Sequence, residues 1–233
     1  MSAIFKREFK AYFTTPIGYI VLAAFYFFLG WYFSMMYSGG APQVEIAIMA
    51  MSIVIVFTLP VLTMRLMSED RRQKVDQALI TAPVKLTSIV LGKFFAALSV
   101  FAMGFLPTVI FEIIVATKVS VNVLSFIYAL LGILLLGGAL IAIGMFISSL
   151  SESPVVSAIL TLVINILVIY MSNFAGMINA QWLSKIIEKA AFITVAENFG
   201  DSVFKIVDIV YFASIIAVFI FLSVRSLEKR RWS

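Results

Sequence analysis

The chain has 233 residues, 63% of them hydrophobic and only 12% charged, with a mean hydropathy of +1.10. A soluble domain is nearer half apolar and a quarter charged, so this composition excludes a water-soluble globule and defines an integral membrane protein. The formal net charge of +5 does not mark a nucleic-acid surface, because Lys and Arg sit beside apolar runs; with no Cys and no His, disulfides, thiol chemistry, an imidazole base and Cys- or His-based metal sites are excluded as well.

Residues 1–15 place Ile4, Phe5, Phe9, Tyr12 and Phe13 at helical spacing, with Lys6, Arg7 and Lys10 elsewhere on the wheel. The pattern predicts an interfacial helix that Phe5, Phe9, Tyr12 and Phe13 anchor along a leaflet. A secretory signal is the alternative, disfavoured because the following apolar run is too long and lacks a cleavage site. Pro16 opens a first span at about 17–37, with aromatic residues near its ends, and Ser38-Gly39-Gly40-Ala41-Pro42 forms a tight turn. A second span covers about 44–64, with Pro60 as a kink near its inner end.

Residues 65–87 interrupt the apolar pattern. Ser68 is predicted to cap a short helix, with Glu69 and Asp70 in its first turn, where carboxylates suit the positive helix end. Asp70 with Lys74, and Arg72 with Asp76, are spaced for ion pairs on one face, and Leu66, Val75, Ala78 and Leu79 form an apolar stripe. Thr81-Ala82-Pro83 ends the helix, since the residue before proline is pushed out of the helical region. Such a helix cannot bury its own apolar face, so it needs a docking partner or the membrane surface.

A third apolar run, 88–116, carries Pro107 and exceeds the roughly 20 residues a bilayer needs, which predicts a tilted, bent or partly interfacial span. The fourth span, about 123–149, is rich in small residues from Gly137 to Ser148, suited either to a dimer seam or to close packing within the chain. Ser151-Glu152-Ser153-Pro154 breaks the chain before a fifth span at about 155–171. Residues 173–205 are too polar for a span and too apolar for a free loop; they suggest one amphipathic helix ending near Ala190 and a second short element at 192–204. A last span, about 206–224, leads into a basic tail at 225–233. In this six-span, all-α arrangement, a single transmembrane domain over 1–233, thirteen Lys and Arg residues fall on one side and Lys118, Lys185, Lys189 and Lys205 on the other. The asymmetry places both termini in the cytoplasm.

No GxxxxGK[ST] stretch is present; Gly92-Lys93 lacks the upstream glycine loop and begins a span, so nucleotide hydrolysis would have to come from another polypeptide. Glu112 is an acid well inside an apolar run, either lining a translocation path or standing hydrated near the outer surface. Asn165 and Asn173 suit helix-to-helix hydrogen bonds, with a place along a path as the other reading of Asn165. Eleven Met residues raise a Cu(I) reading, but nothing anchors such a site.

The segments KREFKAYFTTPIGYIVLAAFYFF, LPVLTMRLMSEDRRQKVDQALITAPVKLTSIVLGKF, GALIAIGMFISSLSES and VRSLEKRRW resemble the membrane subunits of ABC exporters, specifically the type-2 permeases of the gliding-motility-like branch. The second segment, an acidic-basic helix followed by Thr-x-Pro and Leu-Gly-Lys, carries most of the likeness. The resemblance implies a multi-pass permease in the cytoplasmic membrane, working as a dimer with a second copy or a homologous permease and with two ATPase subunits. It implies that the helix after span two is a coupling helix, with Glu69, Asp70, Arg71, Arg72, Val75 and Leu79 contacting the ATPase. It recasts 173–205 as short re-entrant helices and leaves room for an additional membrane subunit. ATP and Mg would belong to the ATPase, with no cofactor in this chain. The rivals are an ATPase-independent carrier or channel, which would want facing charges at mid-membrane, and a scaffold that recruits a cytoplasmic protein.

Overall fold

The computed structural model describes residues 1–40, 43–73, 85–120, 122–172, 191–200 and 205–231, and among them every regular element is helical. In chain order these are α1 (Ser2–Thr14), α2 (Pro16–Ser38), α3 (Val44–Thr63), α4 (Ser68–Arg72), α5 (Leu86–Met103), α6 (Leu106–Ala116), α7 (Val123–Leu150), α8 (Pro154–Ile169), α9 (Phe192–Gly200) and α10 (Ile206–Arg231). Extended Thr15, followed by Pro16 at the first helical position, separates α1 from α2, because proline's fixed φ suits a helix start and needs no donor. Asn122 caps α7, its Oδ1 accepting the Leu124 N–H at 3.2 Å.

The third apolar run is bent, as its excess length predicts. It is divided at Gly104–Phe105 into α5 and α6. Pro107 has no N–H to offer the Met103 carbonyl four residues back, and the Tyr26 hydroxyl of α2 donates to that carbonyl instead, at 3.2 Å. Gly104 permits the bend to lie against α2, since a Cβ there would stand 2.9 Å from the Phe25 ring. Pro60, by contrast, lies inside α3 without ending it.

The 28-residue α7 is the axis of the bundle, packed by α3, α5, α8, α9 and α10. Ala129, Ile133, Leu136 and the run from Ala139 to Ala142 are fully buried. Its small residues serve packing within the chain: Gly137 faces Phe101 of α5, Gly138 faces Ile216 of α10, and Gly144 faces Thr63 of α3. The dimer-seam reading of this stretch is therefore overturned. Helix α9 is packed too, with Phe199 wholly buried against Gly132, where a Cβ would meet Phe199 Cβ at 2.5 Å. Asn198 Nδ2 donates to Asp208 at 3.1 Å and ties α9 to the start of α10. The amphipathic helix expected before Ala190 lies outside the described residues.

Among the described residues, five segments are long and apolar enough to cross a membrane: Pro16–Ser38, Val44–Arg72, Leu86–Ala116, Val123–Leu150 and Ile206–Lys229. Helix α8 has 16 residues, about 24 Å of helix against a hydrocarbon core of roughly 30 Å. Large apolar side chains face outward, among them Phe27 and Trp31 of α2 and Val155, Ile159 and Val163 of α8. Hydrocarbon, not water, is the solvent that suits such a surface.

Candidate functional site

The polar end of the bundle is built where α3 gives way to α4. Ser148 of α7 donates to the Met64 carbonyl at 3.0 Å and accepts the N–H groups of Met67 at 3.1 Å and Ser68 at 3.0 Å. One hydroxyl thus uses its donor and both acceptors on the chain entering α4. Ser68 is not the cap expected of it. Met67 holds that position, the Ser68 hydroxyl turns back to the Met64 carbonyl, and the buried N–H groups at the start of α4 are satisfied from α7.

Charges then fasten α4 to its neighbours. Lys93 of α5 is only 1% exposed, and its Nζ lies 2.7 Å from Asp70 and 3.1 Å from Glu8 of α1. Arg7 closes the group, 2.5 Å from Glu8 and 3.8 Å from Asp70. Two cations and two carboxylates therefore bring α1, α4 and α5 to one point, the arrangement a buried ammonium requires. Glu69 pairs with Arg65 one turn back and accepts from Gln73 Nε2 at 3.1 Å. Arg71 reaches the loop after α7, 2.7 Å from Glu152 and 3.1 Å from the Leu150 carbonyl. Of the residues expected to contact an ATPase, Glu69, Asp70 and Arg71 thus have partners in this chain, and Arg72 is exposed. Val75, Leu79, Lys74 and Asp76 lie outside the described residues, as do the ion pairs expected of the last two.

Helix α1 is less superficial than its wheel suggests. Tyr12, expected to rest on lipid, is 8% exposed, and its hydroxyl donates to the Leu62 carbonyl of α3 at 2.9 Å. Burial pushes its phenol up from the ordinary value, which keeps the donor proton in place. Phe5, Phe9 and Phe13 are half-buried and form a ladder, with centroids 5.7 and 5.2 Å apart. Gly92 lets α1 lie against α5, since a Cβ there would stand 3.0 Å from Ile4. Between α1 and α4 a cavity of about 340 Å³ is lined by Arg7, Glu8, Tyr12, Arg65, Glu69 and Asp70.

Two other features carry polar atoms into the apolar region. Glu112 of α6 is 8% exposed, with Oε1 lacking a hydrogen-bond partner among the described residues. It follows Lys93 by 19 residues, about 28 Å were α5 and α6 collinear, and the bend at Gly104–Phe105 lies between it and the charged cluster. Ser157, Thr161 and Asn165 follow one another at i, i+4 and i+8 on the buried face of α8. All three are fully buried, and Ser157 Oγ, Thr161 Oγ1 and both amide atoms of Asn165 have no partner among the described residues. Among the described residues Asn165 makes no helix-to-helix hydrogen bond of the kind expected of it, and Asn173 lies outside them.

Sequence reasoning missed Glu8, Ser148 and the pairing role of Lys93. Lys93 alone carried a signal, a cation one turn inside an apolar run that must find an anion. Nothing in the sequence ties Glu8 to a residue 85 positions away.

Apolar helices on a central α7, with charge gathered at one end, make this a multi-pass helical membrane component. The sequence profile of the ABC-2 family transporter proteins matches residues 32–227, most of the chain, and the chain belongs to that family. No curated protein matches it. Membership makes it a membrane permease component of ABC transport, which lacks ATPase activity of its own and works with an ATPase subunit.

Proposed function

We propose that this chain is the permease subunit of an ATP-driven type-2 exporter of the gliding-motility-like branch, and that residues 65–87 form its coupling element. It works with a second copy or a homologous permease and with two ATPase subunits that hold ATP and Mg, an arrangement that leaves room for an additional membrane subunit. Both termini lie in the cytoplasm, where thirteen of the seventeen Lys and Arg residues gather. The segment expected at about 155–171, which holds α8, supplies the fifth of six spans, and α10 the last.

The observation that carries this reading is the Asp70–Lys93–Glu8 cluster. A docking helix is useful only if its displacement reaches the spans, and this cluster joins α4 to α5 and α1 through contacts short enough to transmit it. The contacts with the ATPase are assigned to Glu69, Asp70, Arg71, Arg72, Val75 and Leu79. Asn165, with Ser157 and Thr161, lines the path: four polar atoms without a partner among the described residues gain hydrogen bonds when water or cargo enters. Glu112 stands at its outer mouth.

The test is co-expression with candidate ATPase subunits, comparing wild type with Val75→Asp plus Leu79→Asp. The proposal expects an ATPase to copurify with wild type and the double variant to lose either it or its coupled hydrolysis. If no ATPase copurifies, or the substitutions change nothing, the exporter reading gives way to a carrier or a scaffold.

A further inference from the structure

A long groove runs along the side of the bundle, walled by α5 and α10 with α7 as its floor, and encloses about 1200 Å³. Its lining comes from α5, α7 and α10, with no residue of α8 and none of the charged cluster around Lys93. Its walls are apolar: Leu91, Phe95 and Leu98 on one side, Ala217 and Ile220 on the other, above Leu134. From Thr87 to Ala102 the α5 wall spans fifteen residues, about 22 Å. One leaflet of hydrocarbon is about 15 Å deep, so the groove takes a full acyl chain and still reaches the polar zone.

Two observations say what fills it. At Gly138 the walls close together: Ile216 from α10 and Leu98 and Phe94 from α5 all come within 3.2–4.0 Å of the Cβ position. The groove therefore tapers at its floor to side-chain width, a space that a polymethylene chain can follow. The polar end carries both signs of charge. Arg225 and Glu228 line it beside Thr87, with Arg225 Nη1 2.7 Å from Glu228 Oε2 and the guanidinium 5.1 Å above the Phe221 ring. The pair is exposed, so exchanging it for a ligand's own charges costs little.

We propose that this groove binds a membrane phospholipid whose headgroup bears both a phosphate and a primary amine. One acyl chain lies between α5 and α10, the phosphate meets Arg225, and the ammonium meets Glu228. A guanidinium is suited to phosphate and a carboxylate to ammonium, so the zwitterionic head matches the site in both signs.

Native mass spectrometry of the detergent-purified full chain tests this, with phosphatidylethanolamine, phosphatidylglycerol and diacylglycerol titrated separately. Wild type is expected to retain one phosphatidylethanolamine, about tenfold more tightly than phosphatidylglycerol. Ala217→Trp fills the groove from an exposed position and should weaken that binding about tenfold. Ser99→Phe does the same from the other wall, should the first variant unfold, with thermal unfolding as the control on both. Arg225→Gln with Glu228→Gln should erase the headgroup preference and keep the chain site. Equal retention of the two phospholipids by wild type, or unchanged retention when well-folded variants fill the groove, overturns the proposal. So does a disulfide between two copies of Ala217→Cys in native membranes, which would seat a second chain there; the native sequence has no cysteine to confuse that result.

Discussion

Replacing Lys93 with methionine removes one cation from between two carboxylates while keeping most of the side chain's length. Glu8 and Asp70 would then face each other with Arg7 alone to offset them, and the cluster would change from neutral to one net negative charge. Removing one member of a fully buried ion pair costs about 3–5 kcal/mol. Here the carboxylates keep 14% and 20% of their exposure and retain Arg7. Water and that guanidinium absorb part of the penalty, which brings the expected loss to about 2–3 kcal/mol. Reversible unfolding of the detergent-solubilised chain measures it. Adding Asp70→Asn restores neutrality and should recover about 1 kcal/mol of the loss. In a complex with an ATPase, Lys93→Met should depress coupled hydrolysis more than it depresses copurification, because the docking surface is left intact. The reasoning is refuted if Lys93→Met is as stable as wild type, or if the second substitution recovers nothing.

Ser148→Ala should cost about 2 kcal/mol in the same unfolding assay, because two buried N–H groups lose their acceptor at once, while the Met64 carbonyl keeps the Ser68 hydroxyl. Gly137→Leu should destabilise by at least about 1–3 kcal/mol, since even a Cβ there falls 2.2 Å from the Phe101 ring; Gly30→Ala, with nothing within 4 Å, should be neutral or mildly stabilising. Asn165→Leu should raise stability by about 1 kcal/mol by removing two unpaired buried polar atoms, and in the exporter reading it should lower transport. A destabilised Asn165→Leu would show that the amide finds partners after all.

Most of the helices are legible in the sequence, because membrane spans announce themselves by uninterrupted apolar length and by the residues that end them. Pro16, Asn122 and Pro154 open their helices near the expected points, and the excess length of 88–116 foretells the bend that Gly104 and Pro107 produce. What is not legible is which face of an amphipathic element meets protein and which meets lipid. Tyr12 shares the apolar face of α1 with Phe9 and Phe13, yet only Tyr12 reaches a backbone carbonyl of α3, because α1 sits across the end of that helix. The spacing pairs Asp70 with Lys74 on one helix face, but contacts 23 and 63 positions distant decide where Asp70 points. Ser148 looks like one more small residue in a close-packed stripe, and only the arrival of the Met64–Ser68 turn beside it makes its hydroxyl structural.

Helix α4 has five residues, too few to hold a helical shape alone. Its consecutive turns are nevertheless pinned in different directions: Ser68 to α7, Asp70 to α5 and Arg71 to the loop beyond α7. Three anchors that do not share a line remove rotation as a freedom, so α4 cannot swivel in place while the spans stand still. Anything that shifts it must carry the ends of α5 and α7 along or break an ionic or hydroxyl contact that can be named. The element behaves as a rivet rather than a hinge.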